Sequence, residues 1–190
     1  MTLWGWLAAI VLFLQLPIPI YWFVVHPFGG RWRVGSNAPY VVGLLVSWPP
    51  VAACLAIWHG KIFRAERPPV AVIVAALVLI ALESWIFWRV HRDLGGARLI
   101  GKTEVSGGGE LERRGIYGRM RHPRYTGSLL AVAGACLLAG TRTAWAVAGV
   151  WAALMFAAIS IEESELRKRF GESYEEYCRG VPRFIPLFRR

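Results

Sequence analysis

Five consecutive residues, Arg121-His122-Pro123-Arg124-Tyr125, gather two guanidinium groups, an imidazole and a phenol. A pair of acids, Glu162-Glu163, follows on the far side of an apolar hairpin. Cations beside paired carboxylates can place an anion, hold a cation or pass a proton. Gathered at one membrane surface, they would make a site where a charged cofactor meets an apolar substrate. Pro123 suits the first turn of a helix, because its fixed φ is helical and its missing N–H costs nothing there. His122 then falls near the N-cap, and the free amides of Arg124 and Tyr125 point out of the helix start toward any bound anion.

Apolar helices must position these groups. Hydrophobic residues make up 56% of the 190-residue chain, with ten tryptophans and a mean hydropathy of +0.43. A membrane span needs about 20 largely apolar residues. The windows Leu3 to Val25, Tyr40 to Trp58, Val70 to Trp88, the shorter Tyr125 to Gly140, and Ala144 to Ile161 predict an all-α integral membrane protein with five transmembrane helices. The first window is too long, and its start too poor in positive charge, for a cleaved signal peptide. Pro17 and Pro19 inside it remove backbone donors and predict a kink or break.

The formal charge of +10 is unevenly spread. With five spans, one face holds four cations (Lys61, Arg64, Arg67 and Arg142) and the other the remaining eighteen. The positive-inside rule then places the N-terminus outside and the C-terminus in the cytoplasm. The basic balance is read as topology and attraction to anionic headgroups, not as nucleic-acid binding, because no groove-reading or base-stacking motif accompanies it. Cys54, Cys136 and Cys178 form no Cys-x-x-Cys pair, and His26, His59, His91 and His122 are scattered, so no metal site is expected.

Between the third and fourth spans lies a polar stretch from Arg89 to Arg124, whose centre, Ser106-Gly107-Gly108-Gly109, must be irregular. The natural division is a three-span region over 1–98 and a loop, hairpin and tail over 99–190. In the tail, Leu166, Phe170, Tyr174 and Tyr177 recur at helical spacing among charges, predicting an amphipathic surface helix. Gly171 interrupts it, and Ser173 with Glu176 has the spacing of a capping box that would restart a helix. Two prolines end regular structure in Val181 to Pro186.

Glu162 and Glu163 follow the last apolar window directly, which sets them at the cytoplasmic end of that helix. The helix dipole disfavours acids there. They therefore need neighbouring arginines (Arg119, Arg121 or Arg124) or a cationic ligand such as a sulfonium or ammonium. Glu83 lies inside the third span, where an acid faces a cavity or a partner. Structural pairing is the favoured reading for it. Trp85 and Trp88 read as an interfacial belt.

The string Gly115-x-Tyr117-x3-Arg121-His122-Pro123-x-Tyr125-x-Gly127, followed by Glu162-Glu163-x2-Leu166-x3-Phe170-Gly171-x2-Tyr174-x2-Tyr177-x3-Val181-Pro182, resembles the isoprenylcysteine carboxyl methyltransferase family. The wider group includes phospholipid N-methyltransferases. The resemblance covers about Leu111 to Pro186. It implies a membrane enzyme that holds S-adenosylmethionine in a pocket formed by the cytoplasmic loop and tail, while a lipid or prenylated acceptor enters from the bilayer. It further implies cofactor contacts from Glu110, Leu111, Tyr117, His122, Pro123, Arg124, Tyr125 and Glu162. Arg121 and Glu163 are the expected catalytic groups. Two departures stand out: Gly109-Glu110-Leu111-Glu112 replaces a His-x-Leu-Val element, and Ala158 occupies the position of an arginine thought to hold the carboxylate of a prenylcysteine.

Methyl transfer from a sulfonium asks mainly for positioning and exclusion of water. A carboxylate acceptor needs only a cation such as Arg121 or Arg124. An amine acceptor needs an acid such as Glu163 or Glu83 to take its proton. The C-terminal region also resembles membrane sterol reductases, and a non-catalytic lipid-binding scaffold is the remaining alternative.

Overall fold

A computed structural model describes residues 1–28, 38–94 and 110–186, with side chains in the first stretch through Val24. The described residues contain helices and no strand. In chain order these are α1 (Leu3–Gln15), α2 (Pro17–Phe28), α3 (Ala38–Ile57), a single turn α4 (His59–Ile62) and α5 (Val70–Leu94). A 3₁₀ turn (Gly115–Gly118) leads to α6 (Pro123–Ala139), α7 (Arg142–Phe170) and α8 (Glu172–Gly180). The Ser106 to Gly109 centre of the polar stretch lies outside the described residues.

Four helical stretches are long and apolar enough to cross a membrane: Leu3–Val24, Ala38–Ile57, Val70–Leu94 and Arg142–Phe170. The remaining window folds as α6, whose 17 residues make it shorter than those four. α6 is also the most enclosed helix, packed against α1, α5 and α7. Its small residues permit close approach. A Cβ on Gly134 would lie 2.9 Å from the backbone carbonyl oxygen of Ala76 in α5, so only glycine lets the two helices meet there. Large apolar side chains such as Leu3, Trp6, Leu45, Val74 and Val150 face outward, as lipid contact requires.

The C-terminal end of α6 is tied to neighbouring elements. Gly140 adopts a left-handed cap (φ 67°), and the Arg64 guanidinium donates to its carbonyl at 2.7 Å, while the Arg64 amide donates to Ala139 at 3.0 Å. The Thr141 hydroxyl donates to the Ile62 carbonyl at 2.5 Å and accepts from the Ala144 amide at 3.1 Å, capping α7. Beyond the other end, the Asp93 carboxylate at the end of α5 accepts from the Ile116 amide in the 3₁₀ turn at 2.9 Å.

The expected break in the first span falls between α1 and α2 at Leu16. Pro19 has no N–H, so the Gln15 carbonyl four residues back loses its helical donor. The Trp151 indole of α7 supplies one at 3.1 Å. A backbone group orphaned by a proline is thus satisfied from across the bundle.

Two expected helix boundaries move. α7 does not stop at Ile161 but continues to Phe170, because Glu, Leu, Arg and Lys in that extension are all good helix formers. The acids Glu162 and Glu163 therefore sit inside a helix, away from its unfavourable C-terminal dipole. Gly171 does interrupt the tail, with φ 52°, but α8 starts directly at Glu172 with no side-chain cap. Ser173 is inside α8 and caps nothing; its hydroxyl and carbonyl accept from Arg113 instead.

Candidate active site

His122 is the N-cap of α6 and Pro123 its first residue, as the sequence pattern requires. The chain after α8 pins this corner. The Arg121 amide donates to Pro182 at 2.8 Å, and the His122 amide donates to Arg183 at 3.0 Å. Phe184 also lies 6.0 Å from the His122 ring, centroid to centroid.

The corner meets α7 at Glu163, which is 1% exposed. Its Oε1 lies 2.9 Å from His122 Nε2 and 3.1 Å from Arg121 Nη1, and accepts from Arg183 Nε at 2.9 Å. Arg183 also bonds the second oxygen, and Arg167, one turn on, stands 3.8 Å from it. The apolar stretch of α7 ends at Ile161, so this cluster lies beyond the lipid-facing part. Burial alone would push the Glu163 carboxyl up, but bonds from His122 and Arg183 and the charge of Arg121 hold it well below the usual carboxylate range.

Glu162, one residue earlier, has a different environment. It is half-buried and accepts from the Tyr125 hydroxyl at 2.5 Å, and among the described residues no cation pairs with it. The expected convergence of the Arg121 to Tyr125 corner with both acids therefore occurs, but it is divided: Glu163 goes to His122 and Arg121, Glu162 to Tyr125. Of the three arginines expected near the acids, only Arg121 pairs with one. Arg124 turns the other way, 5.8 Å over the Phe87 ring of α5, and Arg119 lines a separate cavity.

That cavity, of about 520 Å³, lies between the 3₁₀ turn and α8. It is lined by Arg113, Gly115, Gly118, Arg119, Tyr177 and Glu176, among others. Tyr117 borders it through its backbone carbonyl, which accepts from the Tyr177 hydroxyl at 2.7 Å. Burial raises the phenols of both Tyr174 and Tyr177, so both stay protonated in the physiological range. Glu110 is exposed and Leu111 half-buried in the extended chain leading to the turn.

Sequence reasoning passed over Arg183, which it treated as part of a helix stop. An arginine between two prolines was the available signal, since the prolines hold the chain extended against the histidine corner. It also passed over the glycines flanking Tyr117 as a cavity wall. Among the described residues no cluster of His, Cys, Asp and Glu has the makings of a metal site.

Residues 71–173, more than half of the chain, match the family profile described as phospholipid methyltransferase. The chain belongs to the phospholipid methyltransferase family. Its family-matching region runs from the start of α5 into the start of α8 and takes in Glu83, His122, Glu162 and Glu163. The chain is also 31% identical over 131 residues to methanethiol S-methyltransferase 2 of Bradyrhizobium diazoefficiens, covering 62% of this chain and 49% of that relative. It thus spans about half the length of the curated relative it matches.

Proposed function

We propose that this protein is an S-adenosylmethionine-dependent methyltransferase whose acceptor reaches the site from the bilayer. The observation that carries the reading is the inequality of the adjacent acids. Glu163 is saturated by cations, whereas Glu162 is half-buried on Tyr125 with no cationic partner among the described residues. A half-buried carboxylate with no cationic partner among the described residues has bonding capacity that a cationic ligand can use. A sulfonium-bearing nucleoside with an amino-acid end also suits the neighbouring cavity, where arginines, an acid, a tyrosine and bare glycines line a volume within the roughly 300–1,000 Å³ of small-molecule sites.

In this reading Glu162 and Tyr125 hold the ammonium of the donor's amino-acid end, a cation that S-adenosylhomocysteine keeps. Glu110, Leu111, Tyr117, His122, Pro123 and Arg124 frame its surroundings. When bound, the donor supplies a methyl group already activated by positive sulfur. The chain's own residues orient the reactants, exclude water and, where the acceptor carries a proton, take it up. Arg121 and Glu163 bond to each other in a nearly sealed cluster, so we assign them positioning roles: they fix the His122–Pro123 corner rather than exchange protons with an acceptor.

Five spans, with the N-terminus outside and the C-terminus and site in the cytoplasm, complete the proposal. The packing of α6 along α5 and the bond from Arg64 to its C-terminal cap support a crossing helix despite its length. The unequal distribution of cations supports the orientation. An isoprenylcysteine carboxylate is the acceptor suggested by the sequence motif. The family match favours a phospholipid amine as the second reading, and Ala158 in place of the carboxylate-holding arginine strengthens it.

Titration calorimetry of S-adenosylhomocysteine into the detergent-purified chain tests the proposal. Binding that weakens in Glu162→Ala supports it. No binding, or binding indifferent to Glu162→Ala and His122→Ala, overturns it. Thermal protection by a nicotinamide nucleotide alone would favour the sterol-reductase alternative.

A further inference from the structure

A second cavity, of about 310 Å³, lies within the helical bundle where α1 and α2 meet α5 and α6. Leu14, Ile18, Ile86 and Phe87 give it an apolar wall, and Gln15, Glu83, Arg124 and Ser128 bring polar groups to it. Gly127 completes the wall without a side chain; a Cβ there would come within 3.4 Å of both Glu83 and Ile86. Leu14 and Phe87 are about half exposed on the outer surface of the bundle, so the cavity has a lipid-side entrance. At its inner side Arg124 is followed in sequence by Tyr125, which holds Glu162.

The polar groups of this cavity are incompletely used. The Gln15 amide donates to Glu83 at a long 3.5 Å, as does the Ser84 hydroxyl. Gln15 Oε1, an acceptor, and Arg124 Nε, a donor, are both buried with no hydrogen-bond partner among the described residues. Ser47, Arg89, Arg121 and Tyr174 also keep a buried polar atom without a partner among the described residues, but Gln15 and Arg124 are the two that line this one cavity, where a ligand can reach both. One acid and one guanidinium line the cavity, so their formal charges cancel.

We infer that this cavity is the acceptor pocket, and that in place of the carboxylate or amine acceptor which the motif and the family suggest it takes a small, net-neutral, largely apolar molecule bearing one hydroxyl or thiol. The inference rests on the methyltransferase reading of the neighbouring site. A hydroxyl or thiol can both donate, to Gln15 Oε1, and accept, from Arg124 Nε. On transfer the donor's sulfur–methyl bond breaks as the new bond to the acceptor forms, and the acceptor's proton passes to the Glu83 carboxylate that lines the same cavity. A carboxylate offers no donor and an alkylammonium no acceptor, so each leaves one orphan unmet. Either ion would also upset the balance between Glu83 and Arg124 in a low-dielectric setting. The volume stands at the bottom of the roughly 300–1,000 Å³ typical of ligand sites, which sets a small molecule apart from a long-chain acceptor. Glu83 is a specificity-determining residue here, holding Gln15 and offsetting Arg124.

The test uses the full chain in detergent with saturating S-adenosylhomocysteine, and reads the shift of the unfolding midpoint on adding 1-butanethiol, 1-butanol, butylamine or sodium butyrate. The thiol and alcohol are expected to raise the midpoint more than either ion. Glu83→Gln should abolish that preference and raise the KM for butanethiol at least tenfold, while calorimetric affinity for S-adenosylhomocysteine stays within twofold. Phe87→Ala, which widens the entrance, should extend stabilisation to 1-octanol. Stronger stabilisation by butyrate or butylamine, or an unchanged thiol response in Glu83→Gln, overturns the pocket assignment and leaves the donor site standing. Failure of S-adenosylhomocysteine to bind the unaltered chain overturns both.

Discussion

Glu162 and Glu163 are neighbours on one helix, yet they occupy opposite kinds of environment. Glu163 is closed in by His122, Arg121 and Arg183, which together bond both of its oxygens. Glu162 has a phenol and no described cation. A 100° turn along α7 separates a structural hub from a group with capacity to spare. A related contrast holds at the cavity near Glu83: its unpaired atoms belong to Gln15 and Arg124, which line open space, whereas the one at the hub, Arg121 Nε, lines neither described cavity. Saturated polar clusters hold a fold in one arrangement, whereas unsaturated ones are where a ligand can add bonds.

The contrast breaks most visibly at the hub. Glu163→Ala leaves two guanidinium groups facing one another without their shared acid, and should lower unfolding free energy by about 3–5 kcal/mol. Denaturant or thermal unfolding in detergent would measure it. Glu162→Gln should behave in the opposite way, with an almost unchanged unfolding midpoint and S-adenosylhomocysteine affinity weakened by about 1.5–3 kcal/mol, read by calorimetry. Equal loss of stability in the two variants would erase the distinction between them.

Away from the acids, Gly134→Ala forces a methyl group against the Ala76 carbonyl and should cost about 1–3 kcal/mol by separating α5 from α6. Trp151→Phe removes the donor that replaces Pro19's missing N–H, for a loss of about 1–3 kcal/mol, at the lower end if lipid or water supplies a substitute. Both are read as unfolding midpoints.

The smallest effect, at ordinary pH, is the titration of the hub. Because the folded-state pKa of Glu163 is depressed, its contribution to stability is fully present above its unfolded value of about 4.3 and is lost as pH falls toward the lower folded value. The unfolding midpoint should hold steady from pH 8 to about 5.5 and decline below that. Glu163→Gln should flatten the part of the acid decline that this residue causes. An identical profile in the variant would show that other carboxylates govern it.

Much of this arrangement follows from local chemistry. The length and composition of the apolar windows dictated the helices; Pro17 and Pro19 dictated the break after α1, Pro123 the start of α6, and Gly171 the joint before α8. Those effects act within a few residues of their cause, through donors that a ring removes or a φ that only glycine adopts easily. The length of α7 was hidden because apolar content marks where lipid ends, and a helix rich in Glu, Arg and Lys continues into water. Partner choice lay beyond any local rule. Which acid His122 meets, that Arg183 joins them from the tail, and that Arg124 turns away toward Glu83 all depend on how α6 is rotated between α5 and α7. That rotation is set by the bare faces of Gly127 and Gly134 against α5, a contact between segments far apart in the chain, and only the packed bundle decides it.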